Sequence, residues 1–279
     1  MSTHVRADLR ERYGPWALVA GASDGIGEAF ARQLAAAGLN VLLLARREAT
    51  LAALAAELRS AHGIDARCVV ADLMRDKLLD RLRAASDGLE VGLLICNAGA
   101  VHGAAPFLDR PVDAALGLVA LNCRTPVLLA HHFGGPMRER GRGGIMLLSS
   151  LSSLSGAGLT ATYNATKSFD MIFAEGLWHE LKPAGVDAMC LMVGATRTPS
   201  MLQRMPSFAA YPNIMDPADV AAEGLAFLGR GPMWVAGAHN RAIVKHLLPL
   251  PRVTQINALS AANAGIFGQP VISAEGEDY

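Results

Sequence analysis

The sequence predicts one α/β domain: a doubly wound parallel sheet with helices on both faces. Three observations lead there. Short runs that are apolar throughout alternate with longer segments of helical period, and strands apolar on both sides belong to a sheet that is covered on both sides. The 279 residues, 52% of them hydrophobic, suit one core of that kind. No internal repeat or linker-like low-complexity stretch divides the chain.

Taken in order, the aliphatic runs predict strands at residues 16–20, 40–44, 66–70, 91–96, 145–148, 186–192 and about 233–236. Between them, apolar residues recur at helical spacing over 26–37, 48–61, 74–85, about 112–140 and about 160–182. Parallel crossovers are right-handed almost without exception, so the carboxyl ends of the strands share one edge, where ligands bind. Every motif described below falls on that edge.

Composition narrows the partners. Lys plus Arg and Asp plus Glu both number 25, so no net field draws the chain to nucleic acid or to an acidic surface. The expected partner is a small molecule recognised locally. Residues 1–13, with His4, Arg6, Asp8, Arg10, Glu11 and Arg12, lack the apolar core of a secretion signal. Uninterrupted apolar runs fall short of the ~20 residues that cross a bilayer, so the expectation is a soluble, cytoplasmic protein. Cys68, Cys96, Cys123 and Cys190 have no metal-type spacing, and three of them sit in runs that look like buried strands. They are expected to be small core residues in a reducing compartment. His131 and His132 are adjacent, and helix neighbours do not converge on one ion. No metal is expected.

Directly after the first strand comes Gly21-Ala22-Ser23-Asp24-Gly25-Ile26-Gly27, with a helix starting near Gly25. Glycines let the backbone turn tightly against a pyrophosphate, and the helix amino terminus offers unpaired N–H groups. The second strand ends in Ala45, where NAD enzymes present a carboxylate to the ribose, and Arg46 and Arg47 follow. Cations at a helix amino terminus oppose its dipole, which favours a bound 2′-phosphate, and hence NADP(H) over NAD(H). Tyr163 and Lys167 lie one turn apart on one helix face. A free phenol has a pKa of ~10, and a nearby ammonium favours the phenolate, which brings proton transfer toward neutral pH. Asn122, between Leu121 and Cys123, is an amide in an apolar setting and needs a partner.

These motifs resemble the short-chain dehydrogenase/reductase family over residues 14–235 or so, which implies a Rossmann fold. Ala20 stands where the family usually has Thr. The resemblance implies that Gly21, Ser23, Asp24, Gly25, Ile26 and Gly27 hold the cofactor phosphates and that Arg46, rather than Arg47, meets the 2′-phosphate. Asp72, with Leu73, would reach the adenine, although Asp72 also reads as the cap of the following helix. Asn97, Ala98 and Gly99 would approach the ribose, with a turn role for Asn97 equally open. Ser150 stands 13 positions before Tyr163 (163 minus 150), the family spacing for the serine that hydrogen-bonds the reacting oxygen. Ser149, Ser152 and Ser153 are its rivals. Asn122 would break its helix and hold a water that links Lys167 to solvent. Gly194, Thr196 and Thr198 would meet the nicotinamide, with Val193 in place of the family's usual Pro.

The resemblance thus implies an oxidoreductase that uses Asn122, Ser150, Tyr163 and Lys167 to move a hydride between NADP(H) and a carbonyl or alcohol carbon. The alternatives are a cofactor-binding regulator without turnover and an NAD-dependent alcohol dehydrogenase. Met201, Leu202, Met205, Phe208, Tyr211, Ile214 and Met215 occupy the place of the family's substrate lid, 199–217, and suggest an apolar ketone, aldehyde or alcohol. Residues 185–192 and the helix before them, with Phe169, Ile172, Phe173, Leu177 and Trp178, resemble the family's pairing region, which implies a homodimer or homotetramer. In the extension 238–279, Arg241, Lys245, His246 and Arg252 interleave with apolar residues as in a basic amphipathic helix. That helix is expected to cover a neighbouring subunit or the substrate mouth, with membrane-surface contact the lesser alternative. Residues 276–279 are expected to fray.

Overall fold

The structure, a computed structural model, describes residues 9–75, 77–99 and 103–276. His4, Arg6 and Asp8 of the amino-terminal lead, and Glu277, Asp278 and Tyr279 of the expected frayed end, lie outside the described residues. Seven strands, β1 (Trp16–Ala20), β2 (Asn40–Ala45), β3 (Ala66–Val70), β4 (Val91–Cys96), β5 (Gly143–Ser150), β6 (Val186–Val193) and β7 (Met233–Val235), form one sheet. All pairs are parallel, in the order β3-β2-β1-β4-β5-β6-β7. The chain steps outward from β1 to β3, then crosses back to β4 and steps the other way. Ala20 of β1 lies beside Cys96 of β4 at the point of reversal, and the segments that follow them diverge there to leave a crevice.

The helices are α1 (Gly25–Ala36), α2 (Glu48–His62), α3 (Leu78–Ser86), α4 (Val112–Val119), α5 (Thr125–Arg140), α6 (Ala161–Leu181), α7 (Pro199–Arg204), α8 (Pro217–Phe227), α9 (Ala238–Leu247) and α10 (Arg252–Phe267). Successive strand residues face opposite sides of the sheet. Val19, Leu43, Ile95 and Leu191 pack with Phe30 and Leu34 of α1, Leu51 of α2 and Val220 of α8. Leu18, Leu44, Leu94 and Leu147 pack on the other side with Leu82 of α3, Phe133 and Met137 of α5 and Ala174 of α6. Each such large side chain contributes about 1.5–3 kcal/mol when fully buried, so both layers are needed.

Four expectations need correction. Strand β3 is an edge strand, and Cys68 on it is exposed rather than buried. Helix α3 begins at Leu78 and not at residue 74, because Asp72 Oδ1 accepts from Met74 N (3.0 Å) and closes a local turn first. Asp72 is therefore no helix cap. The stretch Val112–Arg140 is 29 residues long with a most apolar window of mean hydropathy 1.4, long and apolar enough by length and composition to cross a membrane. Counting uninterrupted apolar runs misses it, because Asn122, Arg124 and Thr125 interrupt them; 28% of that window is buried in the fold. The basic stripe of the extension is two helices: Pro249 and Pro251 end α9 before Arg252 opens α10. Arg241 is bound in the fold, donating to Glu223 Oε2 (2.8 Å) and Val235 O (2.9 Å).

The amino-terminal lead is tied to the sheet by one buried carboxylate. Asp187 of β6 accepts from Tyr13 Oη (2.7 Å), Arg12 Nη2 (2.6 Å) and Lys182 Nζ (2.9 Å). Burial pushes its carboxyl up, but Tyr13, Lys182 and Arg12 together pull it below the ordinary carboxylate value. A group depressed in this way contributes stability above the unfolded-state pKa of ~3.9 and loses it as pH falls through the folded value. Arg12 and Lys182 are 40% and 49% exposed, so solvent screens their pairing and the buried tyrosine bond dominates. Asp187→Asn is expected to lower unfolding stability by about 2 kcal/mol at pH 7. In urea titrations the gap between the two proteins should hold from pH 8 to about 4 and shrink below that; a gap that persists unchanged into acid refutes the assignment.

Candidate active site

The crevice is lined first by the turn after β1. Gly21 leaves the strand at a φ of +84°, and a Cβ at Gly27 would lie 2.0 Å from Gly21 O. No side chain fits there, so the first turn of α1 sits directly against the loop. Asn97 Nδ2 donates to Gly21 O (3.1 Å), and the Asn97 and Ala98 N–H groups both donate to Ala20 O (3.2 and 2.8 Å). Asn97 is thus a clamp between the segments after β1 and β4, the turn role that its sequence left open. Asp24 precedes α1 in extended conformation and makes no side-chain cap bond. The N–H groups of the first turn keep their capacity for an anion, and the cradle suits a dinucleotide pyrophosphate. Ile26 packs half-buried on the core beneath.

At the end of β2, Ala45 is buried and Arg46 is exposed. Arg47 reaches back across the turn: its Nη2 donates to Ser23 O (2.7 Å), its Nε to Ser23 Oγ (3.2 Å), and it lies 3.7 Å from Asp24 Oδ2. The sequence favoured Arg46, and the Arg47 bridge was missed; two consecutive arginines opposite Ser23 and Asp24 were its only signal. Asp72 is spent on Met74 N and on Arg75, 3.5 Å away. Leu73 is given to the core, and its carbonyl accepts from Thr125 Oγ1 (2.8 Å).

The four serines at the end of β5 and just after it separate by their bonds. Ser149 Oγ donates to Lys167 O (2.7 Å) and Ser153 Oγ to Ser150 O (2.7 Å), so both are structural. Ser150 Oγ accepts from Ser152 N (3.2 Å) and keeps its own hydrogen to donate. Tyr163 lines a cavity of about 300 Å³ with Ala105, Phe107, Arg110, Leu118 and Leu159. Lys167, one turn on, is buried, and its Nζ donates to Leu148 O (2.8 Å) and Asp170 Oδ2 (2.9 Å). A Cβ at Gly99 would come within 3.0 Å of this ammonium and 3.5 Å of Asn122 Oδ1, so the end of β4 stays open beside both. Burial pulls the Lys167 ammonium down, but Asp170 and Tyr163 outweigh it and raise it above its ordinary value.

Asn122 is fully buried in a π-helical turn, Ala120–Arg124, that joins α4 to α5. The helix widens there instead of stopping, the form taken by the expected break. The Ala120 carbonyl accepts from the Thr125 backbone N–H, the longer-range bond of a π turn, while Asn122 Nδ2 donates to Thr166 Oγ1 (3.0 Å). Thr166 Oγ1 in turn donates to Tyr163 O (2.8 Å), which ties the widened turn to the helix that carries Tyr163 and Lys167. A hydroxyl on a cavity wall with a buried ammonium on the next turn can pass a proton to a bound molecule and be recharged.

Val193, the last residue of β6, pairs with Ser150 in the sheet, and Gly194 just after it packs against Asn240. Thr196 Oγ1 donates to Gly194 O (3.1 Å), and Thr198 caps α7 by accepting from Met201 N (3.3 Å). Ser200 N donates to Asp24 Oδ2 (3.2 Å), so this loop leans over the glycine turn. Segment 199–217 forms α7 and a 3₁₀ turn, Pro206–Ala210, with Phe208 buried and stacked on Tyr211. Among the described residues, the cavity beside Tyr163 is walled by 103–118 and 159–163 and not by that segment; Gly103–Pro111 has no period that would signal such a wall in the sequence. Helix α10 packs on the loop before Tyr163 of its own chain: Ser260 Oγ accepts from Gly158 N (2.8 Å) and Asn263 Nδ2 donates to Thr160 Oγ1 (2.7 Å).

Comparison with known proteins agrees with this arrangement. Residues 15–207 match the family model described as short chain dehydrogenase. The chain is 34% identical over 239 residues to a 7beta-hydroxysteroid dehydrogenase of Clostridium sardiniense, covering 85% of this chain and 91% of that one. It is 30% identical over 238 residues to the enzyme of the same name from Collinsella aerofaciens, covering 84% and 90%. A short-chain dehydrogenase from Sphingobium yanoikuyae, solved in complex with NADPH, superposes with a TM-score of 0.74 at 28% identity, over 95% of this chain and 99% of that one. With its parallel sheet, glycine turn and Tyr163–Lys167 helix, the chain belongs to the short-chain dehydrogenase family of oxidoreductases, which act on CH–OH groups with NAD(P) as acceptor.

Proposed function

We propose that this enzyme is an NADP(H)-dependent reductase of apolar ketones or aldehydes, or a dehydrogenase of the matching alcohols, with Ser150, Tyr163, Lys167 and Asn122 as its catalytic residues. The observation that carries the reading is the position of Tyr163, on the wall of a largely apolar cavity and one turn from a buried ammonium. When bound, the nicotinamide supplies or accepts the hydride. Ser150 Oγ and the Tyr163 phenol hold the reacting oxygen, and Tyr163 gives it a proton as its charge develops. Lys167 stabilises the phenolate that remains. Asn122, joined through Thr166 to the Tyr163 turn, orders the path by which the proton returns. The apolar cavity excludes water and accepts a bulky apolar body; the 7beta-hydroxysteroid dehydrogenases and a bulky-bulky ketone specific alcohol dehydrogenase from Comamonas testosteroni are similar proteins whose names fit such a substrate. Segment 199–217 acts as a lid through its link to Asp24, on the cofactor side.

NADP(H) is favoured because buried Ala45 offers the ribose no carboxylate and Arg46 stands exposed beside it; the NADPH-bound relative supports the same preference. Gly21, Ser23, Gly25, Gly27, Gly99, Gly194, Thr196 and Thr198 line the remaining path. The exposed Leu116, Val119 and Val127 on one long helical stretch, with Phe169 and Ile172 on α6, support pairing with a second copy through these helices. Burial in that contact also accounts for the apolar character of 112–140. Four free cysteines, one of them exposed, support a reducing, cytoplasmic setting.

Tyr163→Phe is expected to bind NADPH normally and to lose roughly 100- to 10,000-fold in kcat; near-normal turnover in NADPH-consumption assays on bulky ketones would overturn the mechanism. Arg46→Asp should raise KM for NADPH roughly tenfold or more and leave KM for NADH within about twofold. Equal losses would show that Arg46 does not read the phosphate. Leu116→Glu with Ile172→Glu should convert a dimer or tetramer to monomers in sedimentation velocity; an unchanged assembly places the interface elsewhere.

A further inference from the structure

The proposed proton relay leaves one buried charge without a role. Asp170, one turn beyond Lys167 on α6, is 2% exposed, and its Oδ2 lies 2.9 Å from Lys167 Nζ. Its other oxygen, Oδ1, is buried with no hydrogen-bond partner among the described residues. Taking the two charges of such a pair out of water costs several kcal/mol per ion, and half of this carboxylate's hydrogen-bonding capacity goes unused, so its presence needs a reason beyond packing. The sequence signal was visible, since Asp170 breaks the run Phe169, Met171, Ile172, Phe173.

We propose that Asp170 is a positioning residue for proton transfer: it fixes the Lys167 ammonium between itself and Leu148 O, and its negative charge offsets part of the field that this ammonium exerts on Tyr163. The inference rests on the reading of Tyr163 as proton donor. The surroundings allow Asp170 this influence. From β4, the π turn and β6, the groups that face the pair are Cys96, Cys123 and Cys190, and burial raises all three thiols, Cys123 to about 11 and Cys190 to about 12. They are neutral near pH 7. On α6 itself, Tyr163 acts on Lys167, and Glu175 acts only through Cys190. Burial raises the Asp170 carboxyl, and the Lys167 charge only partly offsets it. Held 2.9 Å from the Lys167 ammonium, Asp170 is the countercharge that it meets among the described residues.

Removing an anion from a buried site makes its protons easier to lose, whichever group of a coupled pair releases them. The test is the alkaline ultraviolet titration of tyrosinate in the cofactor-free protein, taking as the Tyr163 signal the part that disappears in Tyr163→Phe. In Asp170→Asn the Tyr163 absorbance change should come at a pH lower by roughly one unit, whereas Asp170→Glu, which restores the charge, should return the titration close to its original position. NADPH binding followed by fluorescence checks that each variant is folded. A titration that does not move in folded Asp170→Asn, or that moves equally in Asp170→Glu, overturns the proposal and leaves Asp170 as packing. Because this readout needs no turnover, it separates the two readings: an active Tyr163→Phe sinks the proposed mechanism, while an unmoved titration sinks only the role of Asp170.

Discussion

Lys167 carries a charge into the buried interior of the molecule, and much of the surrounding structure is arranged to keep it there. Its ammonium is held by the Leu148 carbonyl at the end of β5 and by Asp170 on its own helix. Ser149, next to the strand end, binds the Lys167 carbonyl from the other side, so strand and helix are fastened at the same level. Gly99 keeps the neighbouring strand end clear. An unpaired buried ammonium would release its proton or draw in water; here the fold supplies two partners, one from strand and one from helix. The phenol one turn away thereby has a fixed cation on the next turn of its helix.

The cradle on the other side of the crevice follows from backbone approach. Gly27 admits no Cβ against Gly21, and Asn97 spans from one strand end to the other. These contacts place an uncapped helix terminus beside the point where the strand order reverses. The π turn at Asn122 joins the two halves, since it lies under Gly99 and binds the Tyr163 helix through Thr166. Helix α10 adds a support from the far end of the chain, holding the loop that precedes Tyr163. The extension thus serves its own subunit in this structure, with contacts that are polar and specific rather than a basic stripe.

Much of this was legible in the sequence for a plain reason: strands buried on both faces must be aliphatic throughout, and β1, β3 and β4 stand at their expected bounds. Strands β2 and β6 run one residue further than expected and β5 two residues further at each end, because Ala45, Gly143, Gly144, Ser149, Ser150 and Val193 continue the ladder although glycine and serine carry little strand signal. The motif residues could be found because glycine, lysine and a mid-helix asparagine are each costly where they stand. What escaped was set by tertiary contacts. Asp72 diverts the start of α3 through one side-chain bond, Cys68 is exposed because β3 is an edge, and Arg47 turns back to Ser23. The cavity walls come from a stretch without periodicity. Asp170 had a local signal, a charge in an apolar run, but its meaning depends on where Lys167 points.

The central claim is that the hydride comes from the nicotinamide while the protein supplies only a proton. The direct measurement uses NADPH deuterated at C4 of the nicotinamide, on one face or the other, with a bulky apolar ketone in ordinary water, and mass spectrometry of the alcohol. The account predicts one deuterium on the carbinol carbon from one of the two labelled forms, and none there when the label is supplied only as heavy water. Deuterium entering that carbon from solvent, or an alcohol unlabelled from both forms, would contradict it.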